Sequence, residues 1–509
     1  MVTRRQFIST VSAGAVLLAA PAILRAQAGS GTPVINGRRI RRKLSTLAAN
    51  DPFFTAYGQA IEAMHTLAED NPRSWLAQAR IHANFCMHGT NEFFPWHRPY
   101  LHYFEKICGE LIGDENFALP YWDWRDNNGR LPSPFFADGP LNVLSWSDPG
   151  DFNGIGWGAI STVPYRFARE DFGLIDGPAA GSFSQSAMDD MENASTFDLL
   201  AELTEGPHGT AHVVVGGNPR WGLGTDTGHF SSGLSPLDPI FWLHHANVDR
   251  IWANSTIPVA DQKAAFDDIS KVYSGVFFDA SGGGADAALA DTFDLANYGY
   301  SYDFLESETL TGDEVLLNKQ IFDAQDDLIN FARTRGIAVD QPAVASVFEL
   351  FSSEEDLPAY PRRVTQIALE GSKASDVVTQ QRLSRRSLPG GQLALALDSG
   401  KVYARFTNVR PQPNSEGALI KVFVNCPYLS ELTPTTDSHY AGAISLFGCT
   451  PEICASRTFT VDLTTAIRNK LEQGASLDRL QVQLIPFASA ELSAEEPVII
   501  VGGVELLGS

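Results

Sequence analysis

Two stretches decide how this chain reads. One is His88-Gly89-Thr90-Asn91-Glu92-Phe93-Phe94-Pro95-Trp96-His97-Arg98, preceded by Ile81-His82-Ala83-Asn84-Phe85-Cys86-Met87. The other is Asp238-Pro239-Ile240-Phe241-Trp242-Leu243-His244-His245-Ala246-Asn247-Val248-Asp249-Arg250, preceded at a distance by His208-Gly209-Thr210-Ala211-His212. His208 and His212 are four apart, so a helix sets both imidazoles on one face, as a metal site requires. His245 and Asp249 stand in the same relation, which would let the carboxylate support a ligand from behind. Of 11 histidines, ten lie between His65 and His245, and only His439 follows. Imidazole-only sets suit copper, zinc, iron or nickel, with copper the tightest divalent binder. Three imidazoles per metal leave coordination positions open to a small ligand. The His-Glu-x-x-His pattern of zinc hydrolases is absent.

Around these stretches the chain is 509 residues long, 44% hydrophobic and 19% charged, which excludes disorder, collagen and coiled coil. With 37 basic against 60 acidic residues the formal net charge is −23, which argues against nucleic acid or an anionic membrane as partner. Residues 1–28 read as a cleavable export signal. Thr3-Arg4-Arg5-Gln6-Phe7-Ile8 resembles the twin-arginine type, a short apolar run follows, and Ala26-Gln27-Ala28 supplies the cleavage site. The mature protein is therefore expected to be periplasmic or secreted, with no membrane segment. Cys449 and Cys454 bracket four residues and could close a small disulfide loop or stay unpaired.

The apolar spacing divides the chain in two. From Pro52 to about Asn247 it is helical, as in Tyr100-Leu101, Phe104, Ile107-Cys108 and Leu111, with a long loop from Asp126 to Gly156. After about Ala345 it alternates. Thr458 to Thr464, Leu480 to Leu484, Ala418 to Val424 and Pro497 to Val501 read as strands, with Gly502-Gly503 as a turn. The expected fold is a mainly α catalytic domain, a helical bundle holding the metal site, followed by an all-β, sandwich-like C-terminal domain. The expected boundaries are 29–310 for the first, 311–345 for an acidic connector and 346–509 for the second. The second half shows no cluster of ionisable residues that would suggest chemistry of its own.

His88-x4-Phe93-Phe94-Pro95-Trp96-His97-Arg98-x2-Leu101-x3-Glu105 resembles the first copper signature of the tyrosinase, catechol oxidase and hemocyanin family. Asp238-Pro239-Ile240-Phe241-Trp242-Leu243-His244-His245-x3-Asp249-Arg250 resembles the second. Asn71-Pro72-Arg73-Ser74-Trp75, Leu119-Pro120-Tyr121-Trp122-Asp123-Trp124 and Tyr300-Ser301-Tyr302 are similar to segments of plant polyphenol oxidases, as is the β-rich tail more weakly. The resemblance implies a dinuclear type-3 centre of two copper ions. One is held by His82, His88 and His97, and the other by His208, His212 and His245. The neighbouring His244 then lies behind the ligands or near substrate, and a swap of the adjacent pair is the main alternative. Cys86 stands where fungal members and molluscan hemocyanins join a cysteine to the histidine ring, which implies a Cys86–His88 thioether.

What the resemblance implies is oxidation of o-diphenols to o-quinones with O2 reduced to water. The partners are O2 and small phenols. In members that hydroxylate monophenols well, an Asn follows the first ligand of the second copper; here that position is Gly209. Weak or absent monophenol hydroxylation is therefore expected, with Glu205 or Glu202 as carboxylates near the site by spacing. Phe241 is expected against the metal centre, and Ser232 near the gate, where a small residue implies an open entrance. The alternatives are a tyrosinase with monophenol hydroxylase activity, an o-aminophenol oxidase and, in another class, a hemocyanin-like oxygen carrier. In latent relatives the tail places a side chain above the coppers; no residue of this sequence identifies itself as that blocker. His65, His102 and His229 are expected to be structural or surface histidines.

Overall fold

The computed structural model describes residues 29–147, 162–177, 180–305, 348–353, 356–370, 401–413, 415–448, 456–473, 479–487, 493 and 495–508. The export label at 1–28, the connector at 311–345 and the Cys449–Cys454 loop lie outside these residues.

The first half is helical, as its periodicity implies. Helix α1 (Pro52–His65) starts where the Asp51 carboxylate accepts the Phe53 N–H and Pro52 presets the first turn. Helix α2 (Trp75–Phe85) is capped by Ser74, whose hydroxyl accepts the Ala77 N–H. Helix α3 (Phe93–Ile112) runs to Gly113, which takes the left-handed conformation that ends many helices. A short α4 (Gln185–Glu192) precedes α5 (Phe197–Gly216), capped by Thr196. Helix α6 (Ile240–Ala253) is buried from Ile240 through Trp252, and α7 (Val259–Ala264) follows. Helix α3 packs against α1 and α6. This half also holds two small sheets that helical spacing did not announce. Strands β1 (Val34–Ile35), β2 (Arg38–Arg41) and β5 (Tyr300–Tyr302) form one, and β3 (Val272–Phe278) and β4 (Gly284–Ala288) form a hairpin.

Strand β2 places Arg41 in the core, where it joins the two histidine stretches. Its Nε donates to Glu105 of α3 at 2.9 Å and its Nη1 to Asp249 of α6 at 2.9 Å. Asp249 also accepts Arg98 Nε at 2.6 Å and the hydroxyls of Tyr300 and Tyr302 at 2.5 and 2.6 Å. The expectation that Asp249 would support a ligand imidazole is therefore corrected. Its oxygens are taken by two guanidiniums and two phenols, and it fixes helix positions instead.

The tail is two sheets sharing one core, as expected of a sandwich. One has the order β11 (Tyr440–Ser445), β10 (Leu419–Val424), β13 (Arg479–Pro486), β8 (Thr365–Glu370). The other runs β6 (Phe348–Ser353), β15 (Gly503–Gly508), β9 (Val402–Pro411), β14 (Ile499–Val501), β7 (Leu357–Ala359), with β12 (Arg457–Asp462) on β9. Ile420, Val422 and Val424 of the first sheet pack with Ala404, Phe406 and Leu506 of the second. The tail is not all-β, because α8 (Thr464–Glu472) inserts Ala466 and Ile467 into that core.

The two halves are interleaved. Tyr403, Leu419, Phe447 and Leu507 of the tail belong to the core of the helical half. In return Trp221 is buried in the sandwich core and donates its indole N–H to the Glu416 carbonyl at 2.9 Å. Helix α5 packs directly on β11 and β12.

Candidate metal centre

Four helices and one loop bring the histidines together. His82 lies on α2, His88 on the loop after it, His97 on α3, His208 and His212 on α5, and His244 and His245 on α6. His245 Nε2 is 3.3 Å from His208 Nε2 and 3.4 Å from His212 Nε2. Its ring stacks on His97 with centroids 4.2 Å apart, and ring nitrogens of His82, His97 and His245 lie within 4.8 Å of one another. The rings of His88 and His208 meet edge-on at 5.2 Å. All six residues assigned by resemblance thus line one buried centre.

The backbone fixes the tautomers of three of them. His82 Nδ1 faces the Gly233 carbonyl at 2.8 Å, His97 Nδ1 the Phe93 carbonyl at 2.7 Å, and His212 Nδ1 the Phe230 carbonyl at 2.7 Å. A carbonyl only accepts, so each Nδ1 carries the proton and each Nε2 keeps its lone pair. Burial holds His88, His97, His208, His212 and His245 well below their ordinary pKa, and His82 at about 4. These imidazoles stay neutral, the state in which they ligate metal. A crowd of inward-facing lone pairs with so little proton affinity fits a pair of cations.

The other expected residues divide. Phe241 packs as anticipated, 4.3 Å from the His245 ring and 4.9 Å from that of His82. The sulfur of Cys86 lies within 4.8 Å of ring nitrogens of His82 and His88, and burial pushes its thiol pKa up. Glu205 joins the site: Oε1 accepts the Gly89 N–H at 2.5 Å and Oε2 is 3.7 Å from His208 Nδ1. Burial raises its pKa against the pull of the Arg457 guanidinium. Glu202 does not join, since it accepts Arg405 Nε and the Thr460 hydroxyl of the tail. Ser232 is corrected. It is buried, its hydroxyl donates to the His229 carbonyl at 2.9 Å, and it braces the loop carrying Phe230 and Gly233 instead of opening an entrance.

Sequence reasoning missed three residues. Phe447 of the tail lies over His212, rings parallel at 3.8 Å, and 5.7 Å from both His88 and His208. Arg457 of β12 donates to the Phe447 carbonyl at 3.3 Å and crowds Gly89, where a Cβ would fall 2.5 Å from its Nε. Trp124 donates its indole N–H to His244 Nδ1 at 3.0 Å. Of these, only Trp124 lies in a segment that drew attention. His65, His102 and His229 are structural as expected. His65 stacks on Trp146, His102 lies edge-on to Tyr298, and His229 pairs with the Thr162 hydroxyl. In the tail, Cys426, Asp437 and His439 do converge, contrary to the sequence reading. Lys470 Nζ already fills the place of a cation there, donating to His439 Nε2 at 2.5 Å.

The family model described as the common central domain of tyrosinase matches residues 58–149 and 164–254, the segments that carry all seven of these histidines. These two segments match the central domain of the tyrosinase family. The chain's cofactor is the family's pair of copper ions, which the donor set fits. Polyphenol oxidase E, chloroplastic, of Solanum lycopersicum is 31% identical over 248 residues, covering 42% of this chain and 40% of that relative. Catechol oxidase B, chloroplastic, of Solanum tuberosum is 30% identical over 248 residues, with the same coverage of 42% and 40%. The chain thus spans less than half the length of these tyrosinase-family relatives in alignment. A solved structure of recombinantly expressed latent aurone synthase (polyphenol oxidase) aligns over 96% of this chain and 92% of that one. Its TM-score is 0.56 at 18% identity, a likeness of fold.

Proposed function

We propose that the chain oxidises o-diphenols to o-quinones with O2, and that its tail holds it in a covered state. One copper is assigned to His82, His88 and His97 and the other to His208, His212 and His245. The bound coppers supply the redox chemistry that couples two-electron removal from a catechol to reduction of O2. The chain's part is to keep six neutral lone pairs converged, to exclude water by burial, and to orient the phenol against Phe241. The observation that carries this reading is the convergence of His208, His212 and His245 through their Nε2 atoms, with three carbonyl-set tautomers behind the ligands.

Diphenol oxidation is favoured over monophenol hydroxylation because Gly209 offers no side chain to hold a water beside His208. Glu205 is turned toward Gly89 and His208. Phe447 is assigned as the residue that blocks the site, since it occupies the face of His212 where a phenol ring would stack. A Cys86–His88 thioether is proposed to lock the ring of His88, which lies on a loop and lacks the helical support of the other five. Export through residues 1–28 belongs to the same proposal.

Oxygen uptake by copper-loaded protein, with catechol, monophenols and o-aminophenols, before and after mild proteolysis, tests the reading. Catechol turnover that rises on proteolysis is expected. Oxygen binding without turnover in either form would favour an oxygen carrier.

A further inference from the structure

The second copper's surroundings contain one imidazole too many. Ring nitrogens of His208, His212, His244 and His245 lie within 4.8 Å of one another, all four side chains fully buried. Four imidazoles would fill the equatorial plane of a cupric ion, the positions that O2 or a phenolate needs for strong binding. His244 differs from the others in what stands behind it. His82, His97 and His212 each face a backbone carbonyl, an acceptor, and so keep the Nε2 lone pair. His244 Nδ1 faces the Trp124 indole N–H at 3.0 Å. An indole nitrogen only donates, so the single in-plane lone pair of neutral His244 is spent on Trp124 and its Nε2 carries the proton. Neither nitrogen then has a lone pair for copper.

We infer that Trp124 acts as a tautomer lock on His244, keeping the fourth imidazole out of the second copper's coordination so that an open position survives. The inference rests on the dicopper reading and makes His244 a positioning residue. Its ring lies parallel to that of His208 at 5.1 Å and edge-on to that of His212 at 4.5 Å, so it wedges the two α5 ligands apart without binding metal. The lock is itself tied down: the Trp122 N–H donates to the Leu243 carbonyl at 3.0 Å, fixing the Trp124 loop to the helix that carries His244. It also settles the adjacent pair on physical grounds, because only His245 is free to ligate.

The test uses the full chain. Nitrogen-15 NMR of histidine-labelled, metal-free protein should show His244 as the Nε2–H tautomer and His82, His97 and His212 as Nδ1–H. Loss of the second copper to a chelator should slow in Trp124→Phe, as His244 turns and ligates. It should return to the wild-type rate in Trp124→Phe/His244→Asn. A packing role alone would speed copper loss in both variants and overturn the inference, as would an Nδ1–H tautomer at His244. If Trp124→Phe fails to fold, His244→Asn alone decides: two coppers per chain are expected, and one would overturn it. Wild-type protein holding fewer than two coppers would refute the dicopper reading, while the tautomers of the metal-free chain still decide the lock.

Discussion

The ring of Phe447 lies parallel to the imidazole of His212, 3.8 Å between centroids and 4° between planes. A residue of the β-rich tail thereby covers one of the converging imidazoles, the one proposed to bind the second copper, and Arg457 donates to its carbonyl. A stacked aromatic pair is worth about 0.5–1.5 kcal/mol beyond area burial, which sets the scale of the block proposed for Phe447. Phe447→Ala should raise catechol oxidation by the full chain on the order of tenfold, as a barrier change of about 1.4 kcal/mol implies. It should leave the proteolysed form unchanged. Oxygen uptake on both forms checks this, and equal low activity in the full-length variant would remove Phe447 as the block.

Gly209 packs closely against the tail. A Cβ there would lie 2.7 Å from Ser445 Oγ and 3.1 Å from Phe447 Cβ. Gly209→Asn should therefore loosen the tail and raise diphenol oxidation in the full chain. Monophenol hydroxylation should rise only once the tail is removed. Comparing the two activities in the two forms separates the effects, and no change in either would mean that neither constraint acts at this position.

Asp249 neutralises two buried guanidiniums at once. Asp249→Asn leaves Arg41 and Arg98 short of a counter-charge and should cost about 3–5 kcal/mol, the usual penalty for breaking a buried pair. Chemical denaturation of the metal-free protein measures it directly. A loss below about 1 kcal/mol would show that Glu105 and the carbonyl partners suffice.

Acid should destabilise the metal-free protein above the range in which Asp249 and Glu105 titrate. Burial lowers His65 and His229 from the ordinary 6.5 to about 4, and His102 to about 3. Between 6.5 and about 4 the unfolded chain binds protons that the folded chain refuses, so stability falls as pH drops through that window. Asp249 and Glu105, held low by their arginines against the desolvation of burial, give up their stabilisation only at lower pH. Urea midpoints that stay constant from about pH 7 to about pH 4.5 would contradict this.

The convergence of the histidines was legible because metal binding demands fixed residue types at spacings that a helix converts into one face. His208 with His212, four apart on one helix, shows this. The strands of the tail were legible from alternation, as in β12 and β13. Helix α8 was not, because nine residues carry too little periodicity to stand out in a β context. Asp249 was misread since spacing along one helix says nothing of Arg41, which reaches it from β2. Phe447 was invisible because its meaning arises only when the tail docks, over two hundred residues from the ring it covers. Trp124 lay inside a quoted segment, yet its role depends on the direction of one hydrogen bond.

Copper analysis of His208→Ala, together with catechol-dependent oxygen uptake after tail removal, tests the central claim most directly. Two coppers per chain are expected in the wild type. In the variant, one copper, no catechol oxidation and an intact fold by circular dichroism are expected. Two coppers retained by His208→Ala, or undiminished oxidation, would contradict the claim.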